Sequence, residues 1–339
     1  MQWSEILGRL ASGGDLTRNE ARDAMAVVMA GEATPAQISA LIVSLRIKGE
    51  TVDEMTGLVE AMRAAAVTVD IGETVVDVVG TGGDRSGTFN ISTTAALIAA
   101  GAGAKVAKHG NRSASSRCGS ADVLEALGVR IDLEPEHTAE MVREVGFGFF
   151  FAPRYHPAMR YAGPVRTELG IPTVFNFLGP LANPAGATRQ VIGVSDRRMA
   201  ERMIGVLARL GSEYAFVVYG EDGLDEFTTT APTFIYRLKN GEITAAEFTP
   251  EDLGIARSQP ADLVGGDVEE NVAITRAILS GATGPKRDAA VVNAAPALVV
   301  AGLAEGFMDG VGLAIEAIDS GAAAEILERA ITVSQDFAS

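Results

Sequence analysis

The sequence predicts an α/β protein, with a small all-helical unit over residues 1–68 and a larger α/β unit over 69–339 built on a mainly parallel central sheet. Three observations carry this. Thr-x-x-Glu/Gln capping boxes punctuate the first 66 residues. From about residue 67, short β-branched runs alternate with Ala-rich helical stretches, the rhythm of βαβ units. Glycine, at 38 of 339 residues, exceeds the usual ~7%. Tight α/β connections, or loops lying close to a ligand, need such an excess.

In the first unit Thr17 with Glu20, Thr34 with Gln37 and Thr51 with Glu54 start helices. Pro35 takes the first helical position, where its missing N–H does no harm. Ile38, Leu41, Ile42 and Leu45, then Met55, Leu58, Val59 and Met62, recur at helical spacing, and Gly31 and Gly49 fall at helix ends. Beyond residue 67, strands are expected at 75–79, 105–108, 147–151, 190–194 and 214–219. Helices are expected from Asn90, over 121–127 and over 197–210. Segments 233–238 and 242–248 flank Lys239-Asn240-Gly241, a hairpin signal. The tail from Asp267 is helical, with a kink expected at Pro296. Residues 153–188, rich in Pro and Gly, break the βα rhythm.

Composition excludes several classes. With only Cys118 there is no intrachain disulfide and no cysteine zinc site, and three histidines (His109, His137, His156) make a His-rich metal site untenable. A net charge of −16 argues against nucleic-acid or anionic-membrane binding. No long apolar run and no signal-peptide pattern is found, so a cytoplasmic protein is expected.

Four segments carry chemistry. Residues 77–94, DVVGTGGDRSGTFNISTT, read as strand, glycine loop and helix start, where free N–H groups and the helix dipole favour phosphate. A tight turn alone would also account for the glycines. Residues 108–122 place Lys108, Arg112 and Arg117 among serines after the next strand, at the carboxyl end where α/β folds bind ligands. They suit a pyrophosphate, or form a solvated polar loop. Asp225 and Glu226 follow a later strand, as a surface pair or as Mg²⁺ ligands completed by substrate phosphates. In the fourth segment, 151–184, His156 reads as a packing or helix-start residue. Arg160 and Arg166 there lie six apart, so one can face a site and the other solvent.

Taken together, GTGGD, NIST, KHGNR, SADVLEALG, HPAM, PVRTELG, GLDE and NAAPAL resemble the anthranilate phosphoribosyltransferase family through essentially the whole chain. The departures, at Ser113, Ala114, Cys118 and Pro296, fall at positions outside the required chemistry. The resemblance implies a nucleoside phosphorylase/phosphoribosyltransferase-like fold, with part of 153–188 returning to the helical unit. It implies transfer of phosphoribosyl from 5-phosphoribosyl 1-pyrophosphate to anthranilate, the second step of tryptophan biosynthesis from chorismate. Phosphoribosyl pyrophosphate would be held by Gly80, Gly83, Asp84, Thr88, Asn90, Ile91, Ser92 and Thr93. Lys108, His109, Gly110, Asn111, Arg112, Ser113, Ala114, Ser115, Ser116 and Ser120 would complete that set. Gly80, Asn111 and Arg166 would contact anthranilate, and Lys108 and Arg166 would be the catalytic residues. Ser92, Asp225 and Glu226 would bind two Mg²⁺ per monomer. A homodimer through the helical unit is expected. Pyrimidine nucleoside phosphorylase-like transfer and a non-catalytic ligand-binding homologue are the competing readings. The second would be expected to have lost Lys108, Asp225 or Glu226, and all three are present.

Overall fold

The computed structural model describes residues 2–113 and 117–337. The expectations at Ala114, Ser115 and Ser116 lie outside the described residues. Four helices open the chain: α1 Trp3–Ala11, α2 Arg18–Met29, α3 Pro35–Lys48 and α4 Val52–Ala64. Each expected capping box forms. Thr17, Thr34 and Thr51 accept from the backbone of Glu20, Gln37 and Glu54, which reach back in turn. Gly57 lets α2 and α4 meet, since a Cβ there would lie 2.1 Å from the Arg18 carbonyl.

The α/β part follows as β1 Val76–Gly80, α5 Ile91–Gly101, β2 Val106–Gly110, α6 Ser120–Leu127, α7 Pro135–Val145 and β3 Phe147–Phe151. Then come α8 Ala152–Tyr155, α9 Gly163–Leu169, α10 Phe175–Leu178, β4 Arg189–Gly193, α11 Arg197–Arg209 and β5 Tyr214–Gly220. The chain closes with β6 Thr233–Lys239, β7 Glu242–Phe248, α12 Val268–Leu279, α13 Pro285–Ala301, α14 Phe307–Asp319 and α15 Ala322–Asp336.

These strands form one sheet in the order β3-β2-β1-β4-β5-β6-β7. The first five in sequence are parallel, and β6 and β7 run antiparallel as the hairpin turn at Asn240-Gly241 requires. Helix α7 has no counterpart among the expected elements, and Pro296 lies inside α13, within the helical tail that the sequence predicts.

One sheet face packs on α5, α6 and α13 through Val76, Val106, Val191 and Phe216. The other face meets α11 and the opening helices. Ala162, Val165, Phe175 and Leu178, from the segment without βα rhythm, lie in that same second cluster. The segment therefore returns to the helices while its two ends stay on the sheet.

Candidate active site

Parallel strands end on one side, and the loops beyond Gly80, Gly110, Gly193 and Gly220 gather there. The loop after β1 turns on Gly82, Gly83 and Gly87, all at positive φ, with Arg85 forced into the same region at φ 58°. It delivers α5, whose N-terminus has no side-chain cap. The Ser92 N–H instead donates to Glu226 Oε1 at 3.2 Å. Asp225 Oδ2 accepts from the Gly82 N–H at 2.6 Å.

The two carboxylates are held from three directions. A Cβ on Gly193 would lie 1.6 Å from the Asp225 carbonyl, so only glycine admits this loop there, and one on Gly80 would lie 2.4 Å from Asp225 Oδ2 and displace that carboxylate. From α13, Asn293 Oδ1 accepts the Phe227 N–H and its Nδ2 donates to the Phe227 carbonyl, each at 2.8 Å. Asn293 opens the NAAPAL motif, which thereby acquires a physical role.

Lys108, on the α5 side of β2, is 1% exposed. Its Nζ donates to the Val78 carbonyl at 2.6 Å and lies 3.4 Å from Ser92 Oγ. Burial pulls its pKa down, against the upward pull of Asp77, Glu226 and Asp225. Burial first, and Asp84 second, push the Asp225 carboxyl up to about 7. Burial first, and Asp225 second, raise Glu226 well above the ordinary carboxylate range. A cluster this rich in hard oxygen donors and this short of counter-charge fits a divalent cation. Among the described residues no group of three or more His, Cys, Asp and Glu side chains makes a closed metal cage. The donor set therefore suits Mg²⁺, which keeps waters and takes phosphate oxygens beside one or two carboxylates.

The other expected residues divide. Asp84 accepts from Ser86 Oγ at 2.6 Å, and Ser86 Oγ lies 3.3 Å from Thr88 Oγ1. Asn90 donates to the Cys118 carbonyl at 3.2 Å, and its own amide oxygen has no partner. Ser120 Oγ donates to the Asn111 carbonyl at 3.2 Å, closing the loop after β2 on itself. The Ile91 and Thr93 side chains are buried, and the Thr93 hydroxyl has no partner.

At two of the expected pyrophosphate contacts the side chains meet other partners. The side chain of His109 alternates to the opposite sheet face, 5.1 Å from the His156 ring, and its backbone N–H is taken by Asp77. Arg112 donates to Glu125 through both terminal nitrogens, at 2.8 and 3.1 Å, and to Asp122 at 3.0 Å. These carboxylates on α6 occupy the guanidinium that the sequence assigned to phosphate.

Arg160 is exposed and donates to the Tyr161 hydroxyl. Arg166, on α9, is half-buried over the Phe175 ring at 5.3 Å. No Asp or Glu among the described residues pairs with it, and burial alone lowers its pKa. Sequence reasoning missed Gly193 and Ser195, whose Oγ donates to the Gly82 carbonyl at 3.1 Å. The signal was there: GVSD begins at the end of an expected strand.

The glycosyl transferase family helical bundle domain matches residues 4–66, and the glycosyl transferase family a/b domain matches 72–324. The chain is 52% identical over 334 residues to an anthranilate phosphoribosyltransferase of Rhodopseudomonas palustris (strain BisA53), covering 98% of each chain. It is similar to the crystal structure of anthranilate phosphoribosyltransferase from Thermus thermophilus, with TM-score 0.92, 43% identity and coverage of 97% and 99%. It is also similar to the Saccharomyces cerevisiae enzyme in complex with PRPP and Mg, with TM-score 0.91, 26% identity and 98% coverage of both chains.

Cys118 sits within this region, yet burial pushes its thiol up to about 11 from 9.0. Thiolate is the reactive form, so alkylation in the folded protein should run about a hundredfold slower than in urea-unfolded chain at pH 8. Iodoacetamide labelling followed by mass spectrometry reads this. Equal rates would mean that the thiol is open and activated.

Proposed function

This chain belongs to the anthranilate phosphoribosyltransferase family, and from that premise we infer that the cleft above the carboxyl ends of β1, β2, β4 and β5 is its active site. The enzyme is a glycosyltransferase. It moves the phosphoribosyl group of 5-phosphoribosyl 1-pyrophosphate to the amine of anthranilate, releasing N-(5-phosphoribosyl)anthranilate and pyrophosphate in tryptophan biosynthesis. The nucleoside phosphorylase-like and non-catalytic readings give way to this one. The observation that carries the siting is the convergence of Asp225, Glu226 and Lys108 on the uncapped start of α5.

In this reading the glycine loop and the N–H groups of Ser92 and Thr93 receive phosphate oxygens, as helix N-termini do. Ser92 with Glu226, and Asp225 with Glu226, would hold two Mg²⁺ per monomer. The ions would neutralise charge on the leaving pyrophosphate. Lys108 adds a fixed positive charge at the same end. As the C1–oxygen bond breaks, the electron pair goes to pyrophosphate, and this chain's donors meet that charge where it grows. The anthranilate nitrogen then bonds to C1 and loses a proton.

An aromatic amine is unprotonated at neutral pH, so no strong base is required. That agrees with the histidines: burial, with His156 second, pushes His109 down to about 3, and it faces away from the cleft. Arg166, half-buried with no counter-charge among the described residues, is suited to the anthranilate carboxylate, which its planar fork can meet with two parallel hydrogen bonds. Gly80 and Asn111 would complete that subsite. A homodimer through the helical unit is proposed, where Ile47 on α3 is 82% exposed. No helix among the described residues is long and apolar enough to cross a membrane, and a cytoplasmic location is proposed.

Turnover is read as Mg²⁺-dependent loss of anthranilate fluorescence on adding phosphoribosyl pyrophosphate. Glu226→Ala should lose more activity than Asp225→Ala, because Glu226 is assigned to both ions. Both variants should stay folded, since each removes one carboxylate from a repelling cluster while Asp77 and the remaining carboxylate still face Lys108. Near-normal turnover of Glu226→Ala at saturating Mg²⁺ would remove the metal assignment.

Arg166→Ala should raise the KM for anthranilate roughly ten- to a hundredfold, the value of a charge-assisted hydrogen bond. The KM for phosphoribosyl pyrophosphate should barely change, and Arg166→Lys should recover only part of the loss. Equal damage to both substrates, or a large fall in Tm, would instead make Arg166 a support for the fold.

A further inference from the structure

β1 and β2 are neighbours in the sheet, yet they pair only at Val76 and Val106. Elsewhere β1 pairs with β4 from Val76 to Gly80, and β2 with β3 from Val106 to Gly110. A regular parallel ladder would next give the His109 N–H to the Val78 carbonyl and the Val78 N–H to the Ala107 carbonyl. Three of these four groups turn to side chains instead. The His109 N–H donates to Asp77 Oδ1 at 3.1 Å. The Ala107 carbonyl accepts from Asn183 Nδ2 at 2.8 Å, and the Val78 carbonyl accepts from Lys108 Nζ at 2.6 Å.

Asp77 is fully buried, a costly place for a carboxylate when a plain ladder would satisfy the same backbone. What the exchange gains is an open seam immediately below the cleft. It also ties the end of β2 to the returning segment. Asn183 reaches the Ala107 carbonyl of β2, while on the other side of β1 Gln190 Nε2 of β4 donates to the Pro180 carbonyl of the same segment at 3.1 Å.

We propose that Asp77 is a positioning residue for phosphoribosyl transfer: its carboxylate holds the seam between β1 and β2 open and fixes the end of β2. The Lys108 ammonium and the loop from Gly110 are thereby set at the pyrophosphate. This rests on the cleft reading above, in which Lys108 faces that group.

Asp77→Ala removes the acceptor, and Asp77→Asn keeps an oxygen that can take the His109 N–H. Asp77→Ala should raise the KM for phosphoribosyl pyrophosphate roughly ten- to a hundredfold, the scale of a small misplacement of a binding group, with little change for anthranilate. Asp77→Asn should recover most of that loss. A folded Asp77→Ala enzyme with a normal KM, or an Asp77→Asn enzyme as impaired as Asp77→Ala, overturns the proposal. If Asp77→Ala does not fold, amide hydrogen exchange at His109 decides. Slow exchange in wild type and Asp77→Asn supports the proposal, and exchange as fast as an exposed loop in wild type overturns it. Lys108→Met separates the two levels. A normal KM there removes the cleft reading itself, whereas a raised KM beside a normal one in Asp77→Ala removes only the role of Asp77.

Discussion

The Lys108 ammonium lies out of water against the Val78 carbonyl, with Asp77 on one side and Asp225 and Glu226 on the other. An isolated charge at that depth would be several kcal/mol unfavourable, so the carboxylates are needed to keep it. Yet they outnumber it, and Asp84 adds to the excess. Burial first, and this negative excess second, raise Asp225 to about 7. A divalent cation held here would relieve this excess and so make room for a polyanionic substrate. A chain of net charge −16 can thus bind a pyrophosphate, because the relevant charge is local.

Placement depends on small residues and on sheet geometry more than on the polar side chains themselves. Gly193 and Gly80 let the Asp225–Glu226 loop cross the strand ends, and Asn293 pins it from α13. The pleat of β2 places Lys108 on the α5 face and sends His109 to the other, and the Lys108 ammonium reaches the Val78 carbonyl across the opened seam. The same strand therefore contributes one residue to the cleft and one to the anchoring of the returning segment.

Much of this is legible in the sequence. The capping boxes at Thr17, Thr34 and Thr51 mark helix starts because a local hydrogen bond decides them. The strands and the hairpin at Asn240-Gly241 follow from short-range pattern. Lys108, Ser92, Asp225 and Glu226 stand out in the sequence, and the structure brings them together. What stays hidden depends on contacts distant in sequence. Arg112 looks like a phosphate ligand until α6 folds Asp122 and Glu125 against it. Asp77 looks like one polar residue in a strand until its neighbour fails to pair. GVSD marks a strand end, but the reason for Gly193 stays hidden, because the atom it must avoid belongs to Asp225.

The most direct test of this account is calorimetric titration of phosphoribosyl pyrophosphate into the wild-type enzyme, with Mg²⁺ and with a chelator in its place. If the carboxylate cluster must be neutralised before a polyanion can enter, affinity should fall at least about tenfold without the metal, a difference of about 1.4 kcal/mol. Equal affinity in the chelated protein would contradict the account, and would place the pyrophosphate away from Asp225 and Glu226.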